Sequence, residues 1–168
     1  MSIAAKTITP CLWFDTKAED AANFYCSVFK NSKITAISRV PEAGQDVHHK
    51  PAGSVLMVAF ELNGRPFTAL NGGPQFKFDE AVSFQVACES QAEIDYYWDT
   101  LTKDGGQEGP CGWLKDKFGL SWQVFPSAVL TMLMDPDRAK AARVMNTFMQ
   151  MKKFDVASIE RAYAGEAA

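Results

Sequence analysis

The sequence predicts an α+β fold of two similar modules followed by a helical tail, and three observations support this prediction. Short apolar runs with the two-residue period of a strand alternate with longer segments whose apolar residues recur at helical spacing. The order of one strand, one helix and further strands occurs twice along the chain. Residues 127–168 carry helical patterns and no strand pattern.

The first module begins with a strand in ITPCLWFD and continues with a helix. Thr16 and Glu19 have the spacing of a capping box, which predicts where that helix starts. SKITAISRV, SVLMVAFEL and NGRPFTALNGG predict three more strands, and Asn63–Gly64 between the last two apolar runs predicts a type I′ hairpin turn. The helix is expected to bury a stripe formed by Ala21, Phe24, Tyr25 and Val28.

The second module repeats this order with little sequence identity to the first. AVSFQVAC predicts a strand, Ser90 and Glu93 form a second capping box, and Gly105–Gly106 marks the end of the helix. GWLK and LSWQVF predict a hairpin around a DKFG turn, in which Gly119 supplies the left-handed residue. The stripe expected to be buried on this helix consists of Ile94, Tyr97, Trp98 and Leu101.

The tail is expected to form two helices. Asp135–Pro136 predicts the start of the first, with Ala142, Met145 and Met149 along one face. Asp155 predicts the cap of the second, which carries Ile159 and Tyr163. We expect residues 1–168 to form a single domain, with module one at about 5–75, module two at about 80–126 and the tail at 127–168.

Composition excludes several classes of function. The chain of 168 residues is 47% hydrophobic and 22% charged, as in an ordinary globular protein. Its net charge of −3 argues against a nucleic-acid partner, and no apolar run approaches the length of a membrane span. The four cysteines lack C-x-x-C spacing, which indicates free thiols and a cytoplasmic location.

Three motifs of possible chemical interest have simpler structural interpretations. The glycines of NGGP follow a strand, but no G-x-G-x-x-G opens a helix, so they indicate turns rather than a nucleotide site. The adjacent residues His48 and His49 point to opposite sides of an extended segment and seldom bind one metal together. Cys111 has no histidine nearby in sequence to activate it as a nucleophile.

Three stretches together resemble the PhnB-like branch of the vicinal oxygen chelate superfamily, the glyoxalase and bleomycin-resistance relatives. These stretches are ITPCLWFDTKAEDAANFYCSVF, SFQVACESQAEIDYYWDTL and GPCGWLKDKFGLSWQVFP. The branch often carries the domain label 3-demethylubiquinone-9 3-methyltransferase. The resemblance implies two βαβββ modules whose curved mixed sheets surround a cup-shaped cavity, commonly in a homodimer.

The resemblance also implies where a metal would bind. Metal-dependent members hold one divalent ion with four side chains, typically histidines and glutamates. Carried over to this sequence, the four positions fall on Ile8, near Ala69, near Ala81 and on Gln123. The first three cannot coordinate a metal, so we expect no metal and no cofactor.

Gln123 is instead expected to anchor a ligand in the cup. With a period of two, Ser121 and Phe125 share its face, while Trp122 and Val124 pack on the opposite side. Phe76 and Phe78 are placed to close over the cavity. The residues predicted to bind the ligand are Leu12, Phe67, Asn71, Ser83, Ser121, Gln123 and Phe125.

Three functions remain open from the sequence. The first is metal-free binding of a small apolar or aromatic molecule by a cytoplasmic homodimer. The second is an enzyme of the superfamily, such as a lyase, dioxygenase or isomerase. The third is the methyltransferase of the domain label, although the sequence shows no signature for binding a methyl donor.

Overall fold

The computed structural model describes residues 8–43 and 50–166, which fall into two compact units, residues 1–77 and 78–168. The first unit holds a four-stranded mixed sheet in the order β1-β4-β3-β2 and one helix. β1 runs parallel to β4, and the other neighbouring strands are antiparallel. The elements are β1 Cys11–Phe14, α1 Ala18–Val28, β2 Lys33–Arg39, β3 Val55–Leu62 and β4 Arg65–Asn71.

Helix α1 begins without the predicted capping box. Its N-cap is Lys17, which makes no side-chain capping bond, so the prediction of a box from Thr16 to Glu19 was wrong. The backbone N–H of Ala18 instead donates to Oδ1 of Asn71, at 2.8 Å. The side chain of the last residue of β4 therefore accepts a hydrogen bond from a free backbone N–H at the start of the helix. Short-range spacing in the sequence cannot predict a contact between residues so far apart.

The hairpin between β3 and β4 has the predicted turn. Asn63 and Gly64 both have positive φ, 48° and 75°, as a type I′ turn requires. Leu62 pairs with Arg65 across the turn, which fixes the register of both strands. The prediction for this hairpin is confirmed.

The second unit repeats the architecture of the first, with sheet order β5-β8-β7-β6 and β5 parallel to β8. The Ser90–Glu93 capping box is confirmed, because Ser90 Oγ accepts from Glu93 N at 3.3 Å and the Glu93 carboxylate accepts from Glu89 N at 2.8 Å. β6 has only two residues, too few to show a strand pattern in the sequence. The elements are β5 Ser83–Cys88, α2 Gln91–Thr102, β6 Gln107–Glu108, β7 Trp113–Lys115 and β8 Ser121–Pro126.

Three helices follow: α3 Ala128–Leu133, α4 Arg138–Phe148 and α5 Val156–Ala164. Asp155 caps α5 as predicted, by accepting from Ser158 N at 2.7 Å. The start of α4 differs from the prediction, since its cap is Asp137, which accepts from two backbone N–H groups. The buried face of α4 does not coincide with the apolar stripe of Ala142, Met145 and Met149.

Ala141 and Val144 form that buried face of α4, whereas Met145 and Met149 are 43% and 58% exposed. The chain thus has the predicted α+β class, with two βαβββ modules, mixed sheets and C-terminal helices. Within residues 8–43 and 50–166, no helix has both the length and the apolar content needed to cross a membrane.

Candidate functional site

One face of each sheet is covered by the helix of the same unit, and we call the opposite face the open face. In the first sheet α1 covers the face that carries Phe67. Tyr25 of α1 stacks on Phe60 with ring centroids 6.4 Å apart, and Phe60 stacks on Phe67 at 5.6 Å. Leu12 pairs with Ala69 of β4, two residues from Phe67, and is buried on the same face.

Leu12, Phe67 and Asn71 therefore lie under α1, opposite to the face predicted for them. Asn71 uses its side chain within the fold, because Oδ1 accepts from Ala18 N and Nδ2 donates to Val55 O at 2.9 Å. The prediction inverted these strands by one residue. β4 carries apolar side chains on both faces, so its alternation does not distinguish the buried face from the open one.

The NGGP glycines have a structural role in the first unit. A Cβ on Gly72 would lie 2.1 Å from the Trp13 ring, so only glycine permits this close approach. Trp13 Nε1 donates to Gly73 O at 2.8 Å, and Phe76 packs edge-on against the same ring at 5.0 Å. The two glycines thus accommodate the Trp13 side chain, which supports the structural interpretation of this motif over a nucleotide site.

The open face of the second sheet carries two rows of side chains across three strands. In one row β-pairing aligns Trp113, Gln123 and Gln85; in the other it aligns Lys115, Ser121 and Ser83. Trp122 and Val124 alternate with these positions on β8 and are buried on the side where α2 packs. The structure thus places Gln123, Ser121, Ser83 and Phe125 on one face, as their strand periods predict.

We call the six residues of these rows the open-face site. Gln123 Nε2 donates to Ser83 Oγ at 2.8 Å, which fixes the orientation of the amide. Ser121 Oγ donates to Asp79 O at 3.3 Å. The hydrogen bond from Lys115 holds the pKa of the Glu80 carboxyl below its usual value, and the two groups lie 2.6 Å apart.

The hairpin between β7 and β8 is organised by a buried carboxylate. Asp116 accepts from Phe118 N at 2.8 Å, from Leu120 N at 3.2 Å and from Trp122 Nε1 at 2.8 Å. Gly119 has φ of 87°, as the turn predicted from the sequence requires. This turn sets the register that places Trp113 opposite Gln123.

A cavity of about 400 Å³ adjoins the open-face site, within the size range of ligand pockets. Trp113, Lys115 and Ser121 line it together with Glu80, Gln107, Glu108, Gly109, Pro110 and Leu114. Among the residues described, neither Gln123 Oε1 nor Trp113 Nε1 has a hydrogen-bond partner. The site therefore offers an aromatic surface, one free acceptor and one free donor.

Trp113, Lys115 and Gln85 were not among the ligand-binding residues predicted from the sequence. The DKFG turn contains the signal that would have identified Trp113 and Lys115, because a hairpin closed there pairs both with β8 residues. Gln85 would have followed from the parallel pairing of β5 with β8. These residues can be assigned to the site only when the pairing of neighbouring strands is taken into account.

The residues present do not fit the metal of the superfamily. Ile8 is 94% exposed ahead of β1, Ala69 is buried under α1, and Ala81 lies in a turn before β5. Within residues 8–43 and 50–166, no three side chains of His, Cys, Asp or Glu come together as a metal site. His48 and His49 lie outside the described residues.

Cys111 links the second sheet to the tail. Its backbone N–H donates to Met151 O at 2.7 Å, and its thiol lies 3.7 Å from the Met149 sulfur. Its φ of 55° belongs to a tight turn. These contacts give the residue a structural role in holding the segment before α5.

Two helix-backed four-stranded mixed sheets define the vicinal oxygen chelate fold, the class of the glyoxalase and bleomycin-resistance proteins. The family model described as 3-demethylubiquinone-9 3-methyltransferase matches residues 6–125, and the chain belongs to this family. No curated protein sequence matches the chain. The tail from residue 127 lies beyond the matched part.

Solved structures agree with this assignment. A PhnB protein of Bacillus cereus, with 3-demethylubiquinone-9 3-methyltransferase as its suggested activity, is 37% identical with a TM-score of 0.62, over 72% of this chain and 99% of that chain. A protein of Pseudomonas aeruginosa is 18% identical with a TM-score of 0.55, over 71% and 96%. The fosfomycin resistance protein FosX of Mesorhizobium loti is 11% identical with a TM-score of 0.52, over 79% and 100%. The last two share the fold alone.

Proposed function

We propose that this chain binds a small, mainly apolar aromatic molecule on the open face of its second sheet, without a metal ion. The observation that carries the proposal is the cross-strand pair of Trp113 and Gln123 beside a cavity of about 400 Å³. The indole offers a flat apolar surface, and the amide offers an acceptor for one hydrogen bond. A few polar groups in a mainly apolar pocket fix the orientation of a ligand.

The charges of the open-face site favour a neutral ligand. Lys115 is its one cation, and the ammonium group is already paired with Glu80 at 2.6 Å. Its other groups are amides, hydroxyls and an indole, which form hydrogen bonds without requiring a net charge. The two carboxylates of the cavity lining, Glu80 and Glu108, are paired with Lys115 and Lys152. We therefore expect a ring system that carries one donor, such as a hydroxyl or an amide N–H.

Enzymatic functions receive less support from the same residues. A metal-dependent lyase, dioxygenase or isomerase needs several imidazole or carboxylate ligands, and the six residues of the open-face site include none. The methyl transfer in the family description needs a donor cradle, whereas Gly72–Gly73 is occupied by Trp13. Binding without turnover is the function that the open-face site supports best.

Two matched probes test this proposal. 2-Naphthol combines a flat apolar ring with one hydroxyl donor, and 2-methoxynaphthalene keeps the ring but lacks the donor. Titrations followed by the indole N–H resonance of Trp113 should show saturable binding of both, with tighter binding of 2-naphthol. A Trp113 resonance that neither probe shifts would contradict the proposal.

The Gln123→Leu variant tests the hydrogen bond to the Gln123 amide separately from the contact with the Trp113 ring. Leucine keeps a side chain of similar size, so the fold should remain intact. Binding of 2-naphthol should weaken by about 1–3 kcal/mol, roughly 5- to 150-fold, because its hydroxyl loses an acceptor. Binding of 2-methoxynaphthalene should change little. If the variant unfolds instead, Gln123 is a structural partner of Ser83 and not a ligand anchor.

Native mass spectrometry of the purified protein provides an independent test. A retained organic mass on the folded chain would support binding, and elemental analysis of the same sample would report any metal. Close to one zinc, nickel, iron or manganese ion per chain would overturn the metal-free part of the proposal and favour the enzyme.

A further inference from the structure

A second cavity lies in the helical tail, beyond the part of the chain that matches the family. It has a volume of about 540 Å³ and lies along α4 and α5. We call it the tail groove. The lining residues that matter for its chemistry are Arg143, Asn146, Gln150, Ser158, Arg161 and Glu166.

Arg143 is fixed in place by the end of α5. Its Nε donates to Ala162 O at 2.8 Å, and its Nη2 donates to Tyr163 O at 3.0 Å. Within the described residues, Nη1 has no hydrogen-bond partner. The guanidinium is therefore held rigidly at the groove while part of its donor capacity stays available.

Arg161 contributes a second guanidinium. Its Nη2 donates to Ser158 Oγ at 2.9 Å, and no carboxylate of the described part of the chain lies within ion-pair distance of it or of Arg143. Asp155 interacts electrostatically with Arg161, but its carboxylate already caps α5 through Ser158 N. Glu166 is the one acidic residue of the lining.

The amides of Asn146 on α4 and Gln150 in the turn after α4 add neutral donors. Two guanidinium groups against one carboxylate make the lining locally positive in a chain whose net charge is −3. Planar guanidinium donors match the oxygens of carboxylates and phosphates, and such charge-assisted bonds are stronger than neutral ones.

We propose that the tail groove binds a small oxyanion, the carboxylate or phosphate group of a small molecule, through Arg143 and Arg161. This inference does not depend on the open-face site, because the two sites share no residue. A carboxylate and a phosphate present the same acceptor chemistry, and the probes below distinguish them.

Calorimetric titrations with inorganic phosphate and with succinate, at constant ionic strength, test the proposal on the full chain. Saturable binding of phosphate alone would assign a phosphate site, and saturable binding of succinate would assign a carboxylate site. The side-chain amide resonances of Asn146 and Gln150 should shift with the same affinity. Absence of saturable binding of either anion would overturn the proposal.

The decisive variant is Arg161→Gln, because the exposed Arg161 side chain donates only to Ser158 Oγ among the described residues and its loss should leave the helix packing intact. We expect binding to weaken by about tenfold or more, the usual effect of losing a charge-assisted hydrogen bond. Arg138→Gln is the matched control, since it removes the same charge from an exposed position of α4 outside the lining. Equal weakening in both variants would show general charge attraction and refute the site.

Discussion

Replacement of Asn71 by alanine tests the most consequential difference between the sequence prediction and the structure. The sequence predicts that Asn71 binds the ligand, whereas the structure uses it to join α1 to the sheet. Oδ1 accepts from Ala18 N at 2.8 Å and Nδ2 donates to Val55 O at 2.9 Å. Ala18 is fully buried, so water cannot replace the lost acceptor.

The expected loss in the free energy of unfolding follows from these two hydrogen bonds. Loss of a helix cap costs about 1 kcal/mol. A buried group left without its partner costs about 1–3 kcal/mol more. The free energy of unfolding should therefore fall by roughly 2–4 kcal/mol. For a chain of this size, about 2–4 °C is lost per kcal/mol, so Tm should fall by roughly 4–16 °C.

Chemical and thermal denaturation measure this loss, and Asn23→Ala is the matched control. Asn23 lies on the exposed side of α1 and bonds only to Glu19 O, so its replacement should change stability by less than about 0.5 kcal/mol. A loss of stability for Asn71→Ala no larger than that of the control would contradict the capping role of Asn71. Weaker 2-naphthol binding without a lower Tm would also contradict it and would support the ligand role instead.

Two further predictions concern Cys88 and the tail. Burial raises the pKa of Cys88 from 9.0 to about 12, so the unfolded chain loses this proton first, and stability should fall between pH 9 and about 12. In chemical denaturation across this range, the free energy of unfolding should fall less steeply with pH for Cys88→Ala than for the unmodified chain. Equal slopes for the two proteins would contradict the role of Cys88. We also expect a homodimer through the exposed methionines of the tail, Met134 and Met149 at 75% and 58% exposure, which Met149→Glu should weaken. Light scattering that gives a monomer mass for the unmodified chain at micromolar concentration would contradict the dimer.

Local signals in the sequence predicted most of the fold. Asn63–Gly64, Gly119 and the Ser90–Glu93 box each act within a few residues, and all three appear in the structure as predicted. Three residues of the helical stripe of α2 were predicted correctly, since Ile94, Trp98 and Leu101 are fully or nearly fully buried, whereas the fourth, Tyr97, is half-buried. Interactions of this kind depend on residues that are close in sequence, so one chain suffices to find them.

The face of each strand was harder to predict. On β8, Gln123 is half-buried whereas Ser121 and Phe125 on the same side are buried, so the amide, and not an alternation of burial, marks the open side. On β4, Phe67 and Ala69 are buried while Thr68 and Leu70 are half-buried, and Leu70 makes the second face apolar as well. The one polar group near the end of β4, Asn71, points under the helix for a reason that lies 53 residues earlier in the chain.

The two modules supply an acceptor for the first backbone N–H groups of their helices with different residues. This difference explains why the helix cap was predicted correctly in the second module and wrongly in the first. Each helix follows a strand and begins with backbone N–H groups that need acceptors. In the second module Ser90 supplies the acceptor from within the same turn. In the first module the acceptor comes from Asn71, at the end of a strand that is parallel to the one preceding the helix. The Asn71 side chain therefore forms hydrogen bonds within the fold, whereas Gln123, on the corresponding strand of the second module, lies on the open face.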